Sequence, residues 1–210
     1  MDSKFSPQLF FESESVNDIF NPQDSIYDPL KKIPEIISAI VEKRGDELTQ
    51  IKKNVWVGKN VKIDETARIL GPAIIDDNSS IGFCAYLREN IILFKGVVIG
   101  HSSEIKNSII FEDSAVPHFN YVGDSIVGAN VNFGSGAKIA NWRFDEKKIK
   151  IKIEEEIVDT GLVKFGAVVG DGTKIGINVA INPGTVLGKK VRIFPLVSVF
   201  GFWKNDSIVK

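Results

Sequence analysis

Residues 57–105 read VGKNVKIDETARILGPAIIDDNSSIGFCAYLRENIILFKGVVIGHSSEI. An aliphatic residue recurs at every sixth position of this stretch, namely at Val57, Ile63, Ile69, Ile75, Ile81, Leu87, Leu93, Ile99 and Ile105. A short fixed period is typical of repeat proteins, in which each repeat buries its apolar row against the next repeat. The spacing therefore predicts a solenoid built of short strands.

The six-residue period continues beyond this stretch, with two slips of one residue and one insertion. The later members of the row are Ile110, Val116, Val122, Val127, Phe133, Ile139, Val169, Ile175, Ile181, Leu187, Ile193 and Val199. β-Branched residues predominate in the row, and such residues fit a pleated surface better than a helix. We expect an all-β fold of stacked parallel strands.

The insertion spans residues 140–166 and contains a period-two alternation, Lys148-Ile149-Lys150-Ile151-Lys152-Ile153, followed by Glu154-Glu155-Glu156 and by Asp159-Thr160-Gly161. This pattern predicts an extruded β arm. A solvated hairpin and an arm that reaches a neighbouring subunit are equally open interpretations. We divide the chain into an N-terminal appendage, residues 1–54, and a solenoid domain, residues 55–210.

The appendage contains one segment with helical spacing. Asp28 and Pro29 form a candidate N-cap and first turn, and the predicted amphipathic helix ends near Arg44-Gly45. Before it, Phe5, Phe10, Phe11 and Phe20 lie among polar residues, and we expect residues 1–27 to pack on the helix or on a partner.

Composition limits the classes of function. The formal net charge of −1 argues against a nucleic-acid or membrane-surface partner. Cys84 is the single cysteine, which fits a reducing compartment, and no stretch has the length of a transmembrane helix or the pattern of a signal peptide. We therefore expect a cytoplasmic protein.

Two histidines, His101 and His118, are 17 positions apart, which is close to one coil of the expected solenoid. A zinc site with three histidine ligands, as in the γ-class carbonic anhydrases, cannot be built from one such chain. Two imidazoles without a clear carboxylate partner make a weak metal site, so we predict no metal.

The repeat resembles that of the hexapeptide-repeat acyltransferases, which implies a left-handed parallel β-helix. Pro117-His118-Phe119-Asn120-Tyr121-Val122-Gly123-Asp124, with Asn130-Val131-Asn132-Phe133-Gly134-Ser135-Gly136 after it, narrows the resemblance to the acetyltransferase domain of the bifunctional glucosamine-1-phosphate N-acetyltransferase/UDP-GlcNAc pyrophosphorylases. Asn141-x-Arg143-x-Asp145, Val158-Asp159-Thr160-Gly161 and Lys164-Phe165-Gly166-Ala167 are similar to the archaeal-type branch. The resemblance covers roughly residues 55–199.

The resemblance implies roles for particular residues. A sugar amine must lose a proton when it attacks a thioester, and histidine suits that task near neutral pH. The implied roles are catalytic base for His118, phosphate binding for Arg88 and Lys106, sugar contacts for Tyr121 and Asn132, a position near the acetyl group for Asn141, and a further basic contact for Lys164. The small residues that line coenzyme A in the family fall on Ser135, Ile177 and Pro195, and the last two are bulkier than usual.

We therefore predict an acetyl-CoA-dependent N-acetyltransferase that acts on glucosamine-1-phosphate or a similar amino-sugar phosphate, and the resemblance implies a homotrimer. We expect no nucleotidyltransferase domain in the 54 residues before the repeat. One alternative keeps the chemistry with another amino sugar or nucleotide sugar as acceptor. The other is a non-catalytic sugar-phosphate-binding or scaffold protein that keeps the sugar site but has lost coenzyme A, as the bulk of Ile177 and Pro195 suggests. Taken singly, Arg88 and Lys106 could also be solvated corner charges, and Asn132 a corner residue that tolerates positive φ.

Overall fold

The computed structural model describes residues 4–210, and residues 1–3, part of the predicted N-terminal segment, lie outside the described residues. Strands stack in parallel along three faces of a prism. The first face consists of Val55–Val57, Ala73–Ile75, Ile91–Leu93, Ser108–Ile110, Ile126–Val127, Ala167–Val169, Thr185–Leu187 and Phe202–Trp203, with Thr49–Lys52 antiparallel at its start.

The other two faces complete each coil. The second face consists of Lys62–Ile63, Ser80–Ile81, Val98–His101, Ala115–His118, Asn132–Phe133, Lys174–Ile175, Arg192–Ile193 and Ile208–Val209. The third face consists of Arg68–Ile69, Tyr86–Leu87, Glu104–Lys106, Tyr121–Gly123, Lys138–Ile139, Ala180–Ile181 and Ser198–Val199. This arrangement confirms the predicted fold class, a left-handed parallel β-helix.

The aliphatic row fills the inside of the prism. Ile75, Leu93 and Val169 are fully buried, as are most other members of the row. Val57 is partly buried, and Ile63 is the most exposed member at 37%, because it lies in the first coil and has a neighbouring coil on one side only. The repeat also runs past Val199: Trp203 and Val209 add a further partial coil that the six-residue spacing did not reveal.

The N-terminal region contains two α-helices, α1 (Val16–Ile19) and α2 (Ile33–Arg44), and 3₁₀ turns at Pro7–Leu9, Asp28–Lys31 and Gly45–Glu47. The predicted start of the long helix at Asp28 is wrong. Lys32 has a non-helical backbone that separates the 3₁₀ turn from α2, which has Pro34 in its own first turn. The Asp28 carboxylate accepts the backbone N–H of Ser25 instead.

Residues 4–27, hereafter the N-terminal strap, lie across the outside of the first face. The ring of Phe11 stacks on Phe20, 5.8 Å between centroids, and tilts against Phe111, 5.3 Å away. The carbonyl of Phe10 accepts the backbone N–H of Asp171, and the Asp171 carboxylate accepts the backbone N–H of Glu12. The strap thereby covers an apolar outer surface on this face, and helix α2 packs beside it.

The insertion forms the predicted β arm, with strands Lys150–Ile153 and Glu156–Asp159 in an antiparallel hairpin. Ile149, Ile151 and Ile153 are buried in the same apolar cluster as the strap and the outer surface of the first face. Lys4 forms an ion pair with Glu154 at the tip, 2.6 Å between Nζ and Oε2. One side of the hairpin therefore packs on its own chain, so the arm is not simply a solvated hairpin.

None of the helices within residues 4–210 has the length and apolar character needed to cross a bilayer.

Phe11→Ala should lower the free energy of unfolding by about 3–5 kcal/mol, because it removes a buried ring from the contact between the strap and the first face. Chemical denaturation followed by circular dichroism would measure the change. Leu9→Ala is the matched control, since Leu9 lies in the same strap and is 47% exposed. Equal losses in both variants would contradict this account of the strap.

Candidate active site

His118 lies at the corner between the second and third faces, in a column set by strand register. His118 pairs with His101 on the preceding coil, as the spacing of 17 predicted. The register of Ala115 with Asn132 aligns His118 with Ser135, and the amide of Gly136 donates to the His118 carbonyl at 2.9 Å. The side chain of His118 is exposed. The imidazole of His118 is therefore accessible to a ligand.

The three predicted coenzyme-lining residues continue this column. The strand registers of Phe133 with Ile175 and of Ile175 with Ile193 align Ser135, Ile177 and Pro195 on successive coils. All three are exposed, and Ile177 is 50% exposed. The column from His118 to Pro195 is therefore a continuous outward strip; hereafter it is called the corner column.

A shallow groove of 290 Å³ lies beside the C-terminal end of the corner column, and its lining includes Lys174, Arg192 and Pro195. Asn132 is exposed on the same second face, in register with Lys174. The structure therefore places Asn132 with the corner column and not with Tyr121, the other predicted sugar contact.

The remaining predicted residues meet at the third face and its corner with the first face. Arg88 donates to the Glu104 carboxylate at 3.2 Å, and this hydrogen bond is the largest cause that raises the Arg88 pKa. Burial is the main cause that raises the pKa of the Tyr121 phenol, and the charges of Asp124 and Glu104 add to it. The phenol therefore stays protonated over a wide pH range.

Lys106 is held by a carboxylate that the sequence analysis did not assign. Its Nζ lies 3.1 Å from both carboxylate oxygens of Asp124, and the side chains are only 14% and 5% exposed. The Nδ2 amides of Asn107 and Asn141 also donate to this carboxylate. Lys106, the predicted phosphate ligand, is thus half of a largely buried ion pair.

The two slips of the repeat create this polar cluster. The spacing falls from six to five between Ile105 and Ile110 and again between Val122 and Val127. At these corners Asn107 and Asp124 adopt left-handed backbone conformations, with φ of 44° and 50°, which Asn and Asp tolerate better than most residues. At the second of these corners Asp124 meets the Lys106 ammonium, and the Asn107 amide at the first corner donates to the Asp124 carboxylate.

The base of the arm adds Asn141 and Lys164. The Asn141 Nδ2 donates to the Tyr121 hydroxyl at 3.0 Å, and the Phe165 amide donates to the Asn141 carbonyl at 3.0 Å. Trp142 and Lys164 form an antiparallel bridge, and the Lys164 side chain is exposed. A groove of 710 Å³ opens beside them, with Trp142, Phe144 and Phe200 in its walls.

The predicted site residues thus fall into two groups on one chain. The corner column and its neighbourhood contain His118, Asn132, Ser135, Ile177 and Pro195. The third-face cluster contains Arg88, Glu104, Lys106, Tyr121, Asp124 and Asn141, with Lys164 beside it. Glu104 and Asp124 were missed as site residues, although the slip at Asp124 was a visible signal.

The imidazole of His101 is packed against aromatic side chains. The Nδ1 of His101 lies 3.3 Å from the Phe83 carbonyl oxygen, and its ring lies between Phe83 and Phe119. Within residues 4–210, no three His, Cys, Asp or Glu side chains lie close enough together to hold a metal ion.

Known proteins with similar sequences are named as bifunctional proteins. A bifunctional sugar-1-phosphate nucleotidylyltransferase/acetyltransferase of Sulfurisphaera tokodaii is 41% identical over 157 residues, which cover 72% of this chain and 39% of the relative. A bifunctional protein GlmU of Methanococcus maripaludis is 42% identical over 183 residues, covering 84% and 43%. The chain spans about two fifths of the length of these relatives and matches their C-terminal part.

Residues 69–163 match the profile of the GMPPB C-terminal domain. Solved structures similar to the chain include the acetyltransferase domain of PglB from Neisseria gonorrhoeae with acetyl coenzyme A, at 12% identity and a TM-score of 0.29, covering 83% of this chain and 60% of that one. A mutant of GDP-perosamine N-acetyl transferase from Caulobacter crescentus, in complex with CoA and GDP-perosamine, has 10% identity and a TM-score of 0.33, covering 84% and 60%.

Fold and sequence similarity define the chain as a hexapeptide-repeat β-helix protein. Its sequence is similar to the C-terminal part of bifunctional sugar-1-phosphate nucleotidylyltransferase/acetyltransferases.

Tyr121→Phe should make stability less sensitive to alkaline pH. Because the folded protein raises the Tyr121 pKa above its ordinary value of 10.0, the unfolded chain loses this proton first, and the free energy of unfolding falls as pH rises above 10. Urea denaturation at pH 8 and pH 10.5 should show a smaller fall for Tyr121→Phe than for the unaltered protein. Tyr86→Phe controls for loss of a tyrosine on the same face, and identical pH dependence in all three proteins would contradict the prediction.

Proposed function

We propose that the chain transfers acetyl from acetyl-CoA to the amino group of glucosamine-1-phosphate or a similar amino-sugar phosphate. The observation that carries the proposal is the pairing of two surfaces on one chain: a third-face cluster with fixed cations and amides, and a corner column with an exposed histidine. The first suits an anionic sugar and the second suits proton transfer beside an extended ligand.

We infer that the complete site forms between copies of the chain in a trimer. The strap and the arm cover the first face, so the second and third faces are the ones left for self-association. His118 and Asn132 lie on one side of the third-face strands, and Lys106 and Asn141 lie on the other. In the proposed trimer, a neighbouring copy brings its corner column against the third-face cluster.

The proposed roles follow from the chemistry of the side chains. The amine nitrogen forms a bond to the thioester carbon, and His118 accepts the proton that the amine loses. The carbon–sulfur bond breaks, and the thiolate of coenzyme A leaves. His118 gives its proton to this thiolate and so returns to its neutral form. Arg88 and Lys106 hold the phosphate, Tyr121 and Asn132 contact the sugar, and Lys164 adds a basic contact.

The corner column is the surface proposed for coenzyme A. Ser135, Ile177 and Pro195 form an open, largely apolar strip that suits an extended pantetheine chain, and Lys174 and Arg192 supply positive charge beside it. The bulk of Ile177 and Pro195 does not close the strip, because both side chains are exposed. Bound there, acetyl-CoA supplies the acetyl group as a thioester.

The direct test is thiol release from acetyl-CoA with glucosamine-1-phosphate, glucosamine or glucosamine-6-phosphate as acceptor. A blank without acceptor corrects for the exposed thiol of Cys84. Release that is fastest with the 1-phosphate would support the proposal. Release only with another amino sugar would change the acceptor, and no release from folded protein would support a sugar-phosphate-binding or scaffold role.

His118→Ala should lower kcat at least about 100-fold, the usual contribution of a general base, with little change in the unfolding midpoint because the side chain is exposed. His101→Ala is the matched control, since His101 occupies the same column one coil earlier and has no proposed role. Steady-state kinetics would measure both. A His118→Ala protein with full activity would remove this histidine from the mechanism.

Ile177→Asp should raise the Kd for coenzyme A at least tenfold, because it places a negative charge in the strip proposed for an anionic ligand. Isothermal titration calorimetry would measure the binding. Ile157→Asp, at an exposed isoleucine of the arm, is the matched control. If both variants bind coenzyme A as the unaltered protein does, the coenzyme site lies elsewhere.

A further inference from the structure

Asp124 connects parts of the third-face cluster that come from distant points of the sequence. Its carboxylate accepts hydrogen bonds from Lys106, Asn107 and Asn141. Its backbone amide donates to the Lys106 carbonyl, and its own carbonyl accepts the amide of Gly166 at the end of the arm, both at 2.8 Å. One residue therefore ties the solenoid to both ends of the arm.

The contacts of Asn141 fix the direction of its side-chain amide. One N–H of Nδ2 donates to the Tyr121 hydroxyl and the other to Asp124, so both amide hydrogens are used. The Oδ1 atom accepts no hydrogen bond from any residue in the range 4–210. Reversing the amide would set Oδ1 against the Asp124 carboxylate, and two acceptors repel each other.

Lys106 is directed in the same way. An ammonium group has three N–H bonds, and two are aimed at the oxygens of Asp124. The third has no acceptor within residues 4–210. With Asp124 in place, one N–H of the Lys106 ammonium and the side-chain oxygen Oδ1 of Asn141 remain available to a ligand.

We propose that Asp124 is a positioning residue, which orients the side-chain carbonyl of Asn141 towards the amine of the acceptor. This inference rests on the proposed function, because it assigns a role within the same site. Asp124 itself contacts neither reacting atom; it acts through Asn141.

Asp124→Asn separates positioning from a merely structural role. Asn tolerates the left-handed backbone at this corner as well as Asp does, so the corner is preserved. The amide side chain of this variant has one acceptor oxygen where Asp124 has two. When that oxygen faces Lys106, the amide nitrogen of the variant faces the Asn141 Nδ2, and two donors then meet without an acceptor between them. Asp113→Asn is the matched control, because Asp113 has φ of 54° at an exposed corner away from the cluster.

The first measurement follows the Asn141 side-chain amide by ¹⁵N NMR, assigned through its loss in Asn141→Ala. We expect two slowly exchanging hydrogens in the unaltered protein and in Asp113→Asn, and at least tenfold faster exchange of one hydrogen in Asp124→Asn. This measurement needs no substrate. An amide that exchanges equally in Asp124→Asn and the unaltered protein would falsify the orienting role.

The second measurement compares kinetics. Asp124→Asn should lower kcat at least tenfold without raising KM for glucosamine-1-phosphate, since Lys106 loses a competing carboxylate and keeps its charge. Adding Asn141→Ala should cause less than a further threefold loss, because both changes remove the same oriented carbonyl. A raised KM, or losses that multiply in the double variant, would show a general structural role and overturn the proposal.

The two measurements distinguish failure of this inference from failure of the proposed function. A protected Asn141 amide in an unaltered protein that releases no thiol would leave the orientation by Asp124 standing and reject acetyl transfer. Normal acetyl transfer with an Asn141 amide that is insensitive to Asp124→Asn would reject the positioning role alone.

Discussion

The stacking of equivalent residues on successive coils is the constraint on which the rest of the structure depends. Each coil places one aliphatic side chain from each face into the prism, where it contacts the same position of the coils before and after it. Because register is fixed in this way, residues about 17 or 18 positions apart share a column on the outside as well. His118 and Ser135 are aligned by the burial of their neighbours Val116 and Phe133.

The candidate site lies where this regularity is broken. Each of the two shortened corners saves one residue, and each puts an Asn or Asp in a left-handed conformation with its side chain near Lys106. The arm leaves the solenoid at the corner one coil after Asp124 and rejoins it at the same corner. Asn141, at the start of the arm, donates to the Asp124 carboxylate. The apolar columns thus provide a rigid frame, and the irregular positions supply the polar groups.

The sequence predicts the frame well because one periodic row determines it. The site residues could be named through family resemblance, but their grouping could not, since Asn132 and Tyr121 are close in sequence and lie on different faces. Asp124 was overlooked because its importance depends on three partners, of which Lys106 and Asn141 lie 18 and 17 positions away. Consecutive aliphatic residues such as Ile74-Ile75 and Ile109-Ile110 are buried on both sides of the sheet, and such pairs are a sequence signal for a covered face that went unused. What covers it could not be read from sequence, because aromatic residues in an irregular segment have no period.

The strap changes how the molecule must fold. Contacts in a solenoid are mostly between neighbouring coils, so an uncovered one can form or fray one coil at a time. Here the amide of Glu12 binds Asp171 across 159 positions of sequence, and Lys189 binds the Glu12 side chain across 177. Near the first coils, Arg44 forms an ion pair with Asp76 at 2.8 Å. The segment after residue 4 can reach these partners only once the two successive coils that carry Asp171 and Lys189 exist. Its docking is therefore a late, long-range step that joins early and late coils into one cooperative unit.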